Sequence, residues 1–222
     1  MNPLHIVPTP IGNLEDITIR SLNILKNSDV ILCEDTRRTS ILLNHYSIKK
    51  KLLSFNKDNE SAKIDKVIGL LKTNKISLVS DAGTPAVSDP GSKLVRRLIE
   101  EDIQVIPLPG ASSITAAFSA SGLNGNFIFA GFLPKNENDL KKNLTNLSQI
   151  NKDIIIFESP KRIKRFLEVS RKIFKGSNLI IFKELTKINE KIILLKPEDD
   201  LPEINLNKGE FVIIIENKES EI

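Results

Sequence analysis

Residues 76–91 read Ile-Ser-Leu-Val-Ser-Asp-Ala-Gly-Thr-Pro-Ala-Val-Ser-Asp-Pro-Gly. The first residues form a short apolar run that is typical of a buried strand, and a helical pattern begins at Lys93. The glycines and prolines between them allow unusual backbone angles and remove donors, so the strand cannot continue. A connection of about ten residues exceeds the roughly two to six that usually join a strand to a helix. We therefore predict a binding loop at the carboxyl end of a strand, where open parallel sheets bind ligands.

Comparable segments follow three other predicted strands in the first half of the chain. They are Pro8 to Leu14, Glu34 to Thr39 and Pro107 to Ser113. We expect Glu34 to Thr39 to be a polar loop, with a helix starting at Ser40, and Ser61 to cap the helix after it. The alternation of strands and helices predicts a parallel sheet with helices on both faces.

The second half of the chain has a denser pattern of strands with shorter links. This pattern favours a more antiparallel sheet, and 222 residues suffice for two small domains. We therefore predict an α/β fold with an N-terminal domain at 1–122 and a C-terminal domain at 123–222. The first should hold a mostly parallel sheet and the second a mixed one, with a frayed polar tail from Asn217 to Ile222.

Composition argues against several classes of protein. A single cysteine, Cys33, excludes an internal disulfide and a cysteine zinc cluster, and two histidines argue against a histidine metal site. A long apolar run and a signal-peptide pattern are both missing, so we expect a cytoplasmic protein without metal or membrane contact. The sequence also lacks the fingerprints G-x-G-x-x-G and G-x-x-x-x-G-K-[ST], which argues against dinucleotides and nucleoside triphosphates.

Basic residues are concentrated in one part of the chain. Residues 135–175 contain eleven lysines and arginines against five acids, within a net charge of +4. Such a surplus suits an anionic partner such as RNA, although a generally lysine-rich composition explains it equally well.

Seven motifs together resemble the ribosomal RNA small subunit methyltransferase I family of the tetrapyrrole-methylase superfamily. In chain order they are residues 8–18, 34–37, 80–91, 107–110, 131–134, 157–160 and 184–187. The chain departs from the family pattern at Lys161 and Asn189, where histidine is usual, and at Lys183, where arginine is usual. It also ends near the end of the second domain, whereas the family commonly carries a further small segment. These departures bear on RNA binding more than on cofactor binding.

The resemblance implies 2′-O-methylation, by S-adenosylmethionine, of a cytidine in the decoding region of 16S ribosomal RNA within the small ribosomal subunit. It also implies a homodimer and a cofactor held in the cleft between two domains. The implied cofactor contacts are Pro10, Asp81, Ala82, Gly83, Val87, Ser88, Ser112 and Phe157.

A ribose hydroxyl is a weak acid, so a carboxylate that takes its proton would assist the transfer. The candidates for this role are Glu34, Asp35 and Asp81, although Asp81 can instead be a structural cap of its loop. Arg37 is a candidate for holding an RNA phosphate through two parallel bonds. Lys161 and Arg162 are candidates for RNA backbone contacts, which a solvated helix face would explain nearly as well.

Two other functions stay open at this point. One is methylation of a porphyrin precursor by a tetrapyrrole methyltransferase of the same superfamily. The other is a non-catalytic RNA-binding or ribosome-assembly protein that has lost methyl transfer, which failure to bind S-adenosylmethionine would favour.

Overall fold

The structure is a computed structural model that describes residues 1–202 and 205–217. Within them the strands are β1 (Leu4–Ile6), β2 (Val30–Cys33), β3 (Lys51–Ser54), β4 (Ile76–Leu78), β5 (Val105–Pro107), β6 (Phe127–Phe132), β7 (Asp153–Glu158), β8 (Leu179–Lys183), β9 (Lys191–Leu195) and β10 (Phe211–Ile215). The helices are α1 (Ile19–Asn27), α2 (Thr36–His45), α3 (Glu60–Leu71), α4 (Ser92–Glu100), α5 (Ser113–Ser119), α6 (Glu137–Ser148) and α7 (Ile163–Ile173). The tail predicted to fray lies outside the described residues from 218 onward.

The first compact unit, Met1–Ser112, is built on a parallel sheet. Its strand order is β3-β2-β4-β1-β5, and every described pairing is parallel. Apolar residues of α3 and α4 pack on one face of the sheet, and those of α1 and α2 pack on the other. The predicted parallel sheet with helices on both faces is confirmed.

Neighbouring strands β1 and β4 send the chain to opposite faces of this sheet. After β1 it continues into α1, and after β4 it continues into α4, which packs on the other face. Adjacent strands with diverging connections leave a crevice at their carboxyl ends, which is where open α/β sheets bind ligands. The topology therefore points to the two loops that follow β1 and β4.

Two helices begin earlier than the sequence predicts. Helix α2 begins at Thr36 rather than Ser40, because the Asp35 side chain accepts a hydrogen bond from the Arg37 N–H and draws the polar segment into the first turn. Helix α3 begins at Glu60 instead of being capped by Ser61.

The second compact unit, Ser113–Ile222, holds a mixed sheet of order β6-β7-β10-β8-β9. Only the β6–β7 pairing is parallel among the described strands, which confirms the predicted mixed sheet. Helices α6 and α7 cover one face, whereas α5 packs Ala117 against the other, beside Ile155 and Phe182. Helix α5 thus lies within this compact unit, whereas the sequence pattern predicts a domain boundary after it, at residue 122.

Candidate active site

The loops that follow β1 and β4 are joined by backbone hydrogen bonds. Thr9 and Gly83 exchange two N–H···O=C bonds, both 2.9 Å long. The buried Thr9 hydroxyl also donates to the Ser80 carbonyl at 3.1 Å. Gly83 has a φ of 81°, and an added β-carbon would lie 3.2 Å from Ile11, so glycine fits this crossing best. The two loops are therefore fixed against each other where the chain leaves the sheet.

The loop of residues 80–91 is braced by its own side chains and by the loop after β5. Ser80 donates to the Gly83 carbonyl at 3.0 Å, and Thr84 donates to the Ala111 carbonyl at 3.1 Å. Residues 86 and 88, an alanine and a serine, have left-handed φ angles of 65° and 66°. Such angles cost non-glycine residues free energy, and they cluster at ligand-binding segments.

Asp81 connects this loop to the segment after β2. One carboxylate oxygen accepts a hydrogen bond from the Asp35 N–H at 3.0 Å, and the other lies 3.6 Å from Nε of Arg38. These contacts join Asp81 to another segment rather than capping its own loop, and its role as a base stays a prediction. The same contacts keep its carboxylate at the carboxyl edge of the sheet.

Asp35 is committed to the start of α2. Besides capping the helix, its carboxylate binds the Arg37 guanidinium through two bonds, of 3.0 and 2.7 Å. These bonds lower the pKa of Asp35 to about 2. The side chain of Arg37 remains 88% exposed, so it can still meet a partner. A carboxylate with such a low pKa is a weak proton acceptor.

Glu34 and Asp89 lie in a different electrostatic environment. Burial, followed by the charge of Asp81, raises the pKa of Glu34, and the charge of Lys57 opposes this rise. Burial and the charge of Glu34 raise the pKa of Asp89 to about 6. The Lys57 ammonium donates to the Ser88 carbonyl at 3.0 Å, which places a cation beside these acids.

The far end of the loop is held by a buried carboxylate from α3. Glu60, which is 4% exposed, accepts hydrogen bonds from the backbone N–H groups of Gly91, Lys93 and Leu94 at 3.0, 3.1 and 3.3 Å. Gly91 occupies the N-cap position of α4 and has no side chain to cap it. Glu60 therefore provides, from another helix, the acceptor that an N-cap side chain usually provides.

Sequence reasoning did not single out Arg38, Lys57, Glu60 or Asp89. A local signal existed for two of them, because Asp89 belongs to the 76–91 stretch and Arg38 follows Arg37 directly. Lys57 and Glu60 follow β3, so the rule that ligand sites gather at strand ends could have found them.

The structure places the proposed cofactor contacts in both units. Seven of the eight lie in the first unit, on the loops after β1, β4 and β5: Pro10, Asp81, Ala82, Gly83, Val87, Ser88 and Ser112. Phe157 lies in the second unit, near the end of β7. Its ring centroid is 4.9 Å from that of Phe129 and 5.5 Å from that of Phe132.

The two candidate RNA contacts of the second unit differ in their surroundings. Lys161 is exposed. The Arg162 guanidinium lies 2.8 Å from the Glu158 carboxylate and donates to the Leu133 carbonyl at 3.1 Å, and the side chains of Arg162 and Glu158 are 16% and 1% exposed. Arg162 therefore joins the motifs 131–134 and 157–160 from within the unit.

The motif at residues 184–187 is internally satisfied in the same way. The Glu184 carboxylate accepts hydrogen bonds from the Lys187 ammonium at 2.9 Å and from the Glu210 N–H at 2.8 Å. Lys187 also lies 3.1 Å from the Glu210 carboxylate. These contacts hold the link between β8 and β9 against the start of β10.

Among the described residues, no group of histidine, cysteine, aspartate and glutamate side chains has an arrangement that could hold a metal ion. In the same residues, no helix is both long and apolar enough to cross a membrane.

Comparison with known proteins identifies the family. A family model described as Tetrapyrrole (Corrin/Porphyrin) Methylases matches residues 3–200. A Thermotoga maritima protein named Ribosomal RNA small subunit methyltransferase I is 44% identical over 99% of this chain and 100% of its own length. The chain belongs to the ribosomal RNA small subunit methyltransferase I family of tetrapyrrole methylases. The resemblance inferred from the seven motifs is confirmed.

Members of this family differ in length. A Hydrogenobaculum protein of the same name is 45% identical over 96% of this chain and 94% of its own length. The one from Buchnera aphidicola of Acyrthosiphon pisum is 44% identical over 96% of this chain but only 78% of its own. A further segment is therefore present in some curated relatives and small or missing in others.

Solved structures of more distant proteins share the fold of this family. The methyltransferase CobJ is 18% identical and superimposes with a TM-score of 0.73 over 97% of this chain and 94% of its own. Diphthine synthase is 15% identical, with a TM-score of 0.77 over 96% and 89%. At these identities the likeness shows the fold alone, and it confirms the predicted architecture of two α/β domains.

Proposed function

We propose that this chain transfers a methyl group from S-adenosylmethionine to the ribose 2′-hydroxyl of a cytidine in the decoding region of 16S ribosomal RNA. The observation that carries the proposal is the 44% identity to a ribosomal RNA small subunit methyltransferase I across the full length of both chains. The basic surplus in residues 135–175 supports an anionic substrate.

The residues at the carboxyl edge of the first sheet suit this cofactor. S-Adenosylmethionine carries no phosphate, which agrees with loops that lack a phosphate fingerprint. Its sulfonium and amino groups are cationic, and the carboxylates of Glu34, Asp81 and Asp89 interact with one another at this edge. We propose that Pro10, the 81–88 segment and Ser112 hold it, together with Phe157 of the second unit.

The protein's part in catalysis is then positioning and proton removal. S-Adenosylmethionine supplies a methyl group that is already activated by its sulfonium centre, so orientation of the hydroxyl provides much of the acceleration. Of the three candidate bases, Asp35 is the weakest because Arg37 lowers its pKa to about 2. The pKa of Glu34 is raised by burial, which makes it the stronger acceptor. We assign removal of the 2′-hydroxyl proton to Glu34. Asp81 would then hold the 80–91 loop against the segment after β2.

Substitution of the two acids tests this assignment. Glu34→Gln should lower kcat at neutral pH roughly 10²- to 10⁴-fold, the usual contribution of a general base. Asp35→Asn should act mainly on the start of α2, with a smaller effect on kcat. Equal losses in the two variants, with cofactor binding unchanged, would remove Glu34 from this role.

RNA contacts follow the exposure of the basic side chains. Arg37 binds the Asp35 carboxylate on one side of its guanidinium. Because its side chain is 88% exposed, the remaining N–H groups can bind an RNA phosphate. Lys161 is exposed. Arg162 is engaged inside the second unit, so we expect it to support the RNA surface rather than to provide most of its charge.

The test is methyl transfer from labelled S-adenosylmethionine to small ribosomal subunits that lack the modification, beside free 16S RNA and a porphyrin precursor. Label in RNA at an alkali-resistant dinucleotide would support 2′-O-methylation and locate the nucleotide. Label in the porphyrin precursor alone would favour a tetrapyrrole methyltransferase. RNA binding without cofactor binding would favour a non-catalytic RNA-binding protein.

We propose a homodimer from the same resemblance. Sedimentation equilibrium should then give twice the 24.8 kDa of the chain at the concentrations of the assay. A mass of one chain at those concentrations would refute the dimer without affecting the proposed reaction.

A further inference from the structure

We propose that Phe132 is a stacking platform for an unpaired base of the RNA substrate. The inference rests on the proposed function and gives an RNA-binding role to Phe132, which belongs to the motif 131–134 but was assigned no contact by the resemblance. Phe132 is the last residue of β6 and is 55% exposed. Its position, its support and the basic residues at the same end of the sheet carry the inference.

A bulge in β6 sets the direction of Phe132. The register with β7 pairs Phe129 with Ile155 and Gly131 with Ile156, so that Ala130 is the extra residue. Side chains alternate between faces along a strand, so without the bulge Phe132 would point to the opposite face from Phe129. With the bulge, Phe132 pairs with Phe157 and joins the face of Phe129 and Phe157. Bulges that redirect one side chain are frequent beside functional sites.

The neighbouring ring supports Phe132 without stacking on it. The Phe157 centroid lies 5.5 Å away, at an interplanar angle of 61°. Phe157 is itself braced by Phe129, at 4.9 Å and 66°. A ring that is held on one side and exposed elsewhere loses little conformational freedom when a flat base stacks on it.

Basic residues follow the carboxyl ends of the parallel strands β6 and β7, at the end of the sheet where Phe132 lies. Arg162 donates to the Leu133 carbonyl and Arg165 donates to the Lys135 carbonyl at 2.8 Å, which fixes the start of α7 against the segment after β6. Lys135, Lys161 and Arg165 are exposed around this junction. One nearby acid, Glu137, is paired with Lys141 at 2.6 Å, so its charge is partly neutralised.

An exposed aromatic ring and cationic side chains at the same end of a sheet suit single-stranded nucleic acid. The cations meet the backbone phosphates, and the ring stacks on a base whatever its identity. A ribose that is to be methylated must also be accessible, and proteins reach such nucleotides by splaying them out of a stacked strand. Phe132 suits the base of the target nucleotide or of its neighbour.

The experiment uses the fact that the chain contains no tryptophan. Phe132→Trp introduces a single indole, whose emission should be quenched in a saturable way by an octamer of oligocytidine. An abasic oligonucleotide of equal length should quench it little. Phe127→Trp is the matched control, because Phe127 lies at the other end of β6 and is 36% exposed. The emission of this control variant should not change.

Phe132→Ala supplies the second measurement. It should raise the Kd for oligocytidine and the KM for small ribosomal subunits roughly 5- to 100-fold, the usual effect of losing one aromatic–base stack. The Kd for S-adenosylhomocysteine should change much less than the Kd for oligocytidine, because Phe129 still braces Phe157, and the melting temperature should change little.

Several results would overturn the inference. One is RNA binding and methylation that Phe132→Ala leaves intact, with no quenching of the indole in Phe132→Trp; the proposed function would then stand. Another is quenching of that indole by S-adenosylhomocysteine alone, which would place the cofactor's adenine against this ring. A third is dissociation of a dimer by Phe132→Ala, which would make the ring part of an interface between copies. If the wild-type chain neither binds nor methylates RNA, the proposed function fails together with the inference.

Discussion

Glu60→Ala should destabilise the first unit and loosen the end of the 80–91 loop. The Glu60 carboxylate is 4% exposed and accepts three backbone hydrogen bonds at the start of α4, of 3.0, 3.1 and 3.3 Å. Alanine would remove the acceptor and leave these N–H groups without it. Among them the N–H groups of Gly91 and Leu94 belong to buried residues, so water cannot easily replace the carboxylate.

The magnitude follows from two contributions. Loss of a helix N-cap costs about 1 kcal/mol, and leaving buried donors unsatisfied costs about 1–3 kcal/mol more. We therefore expect the free energy of unfolding to fall by about 3 kcal/mol. For a chain of this size, that corresponds to a melting temperature lower by roughly 6–12 °C.

Urea unfolding followed by far-ultraviolet circular dichroism measures this loss, and hydrogen exchange locates it. The amides of residues 91, 93 and 94 should exchange faster in Glu60→Ala than in the wild type. Glu60→Gln keeps an oxygen acceptor in place and should lose no more than about 1 kcal/mol. Glu100→Ala is the matched control, because Glu100 makes an exposed ion pair with Arg96 at the other end of α4 and should cost less than about 0.5 kcal/mol.

Two results would refute this reasoning. If Glu60→Ala stays within about 0.5 kcal/mol of the wild type, the carboxylate does not hold α4. If Glu60→Gln loses as much as Glu60→Ala, the buried charge matters instead of the acceptor. A stability loss without faster exchange at residues 91–94 would show that the damage lies elsewhere in the unit.

Five further substitutions have expected outcomes. Gly91→Ala should lower the free energy of unfolding by at least about 2 kcal/mol, because φ is 122° and the new β-carbon would lie 2.5 Å from Leu78. Gly69→Ala, which adds a methyl group in open space on α3, should raise it by about 0.5–1 kcal/mol in the same urea titration. Arg162→Ala should lower stability by about 3 kcal/mol, because it leaves a buried carboxylate unpaired, whereas Lys161→Ala should change thermal unfolding little but weaken RNA binding. The pKa of Asp89 is raised to about 6, so the folded state loses stability as pH rises from about 4 through 6. Asp89→Asn should thus be more stable than the wild type at pH 8, by about 1 kcal/mol after allowance for partial exposure, and about equally stable at pH 4.

The features that the sequence predicts correctly are those with a local signal. Strands β1, β2, β4 and β5 are short and mostly apolar runs, and a glycine- and proline-rich or polar segment follows each of them. These two signals are sufficient to place four loops at one edge of a parallel sheet. The mixed sheet of the second unit follows in the same way from closely spaced strands with short links.

The start of α2 shows where a local signal is ambiguous. Aspartate, threonine and two arginines suit a polar loop as well as the first turn of a helix. The helix wins because Asp35 accepts hydrogen bonds from both the backbone and the side chain of Arg37. The choice depends on geometry that composition does not encode.

Other features depend on contacts between distant residues. Glu60 meets residues more than thirty positions away, and in the sequence it is one carboxylate among many on a helix. Glu158 and Arg162 have the spacing of an exposed helical ion pair, yet Glu158 lies at the end of a buried strand. Burial decides that this arginine is structural, and burial is a property of the assembled unit.

The pKa values of the acids in the candidate site also depend on contacts that the sequence does not show. Glu34 and Asp35 are adjacent in the chain, yet the pKa of one is raised by burial and that of the other is lowered to about 2 by an arginine. Their positions alone make them equal candidates for a base. The fold gives them different environments, because it turns one carboxylate to the acids of the 80–91 loop and the other to the start of a helix. Assigning roles at this edge therefore requires the environment of each carboxylate as well as its position in a motif.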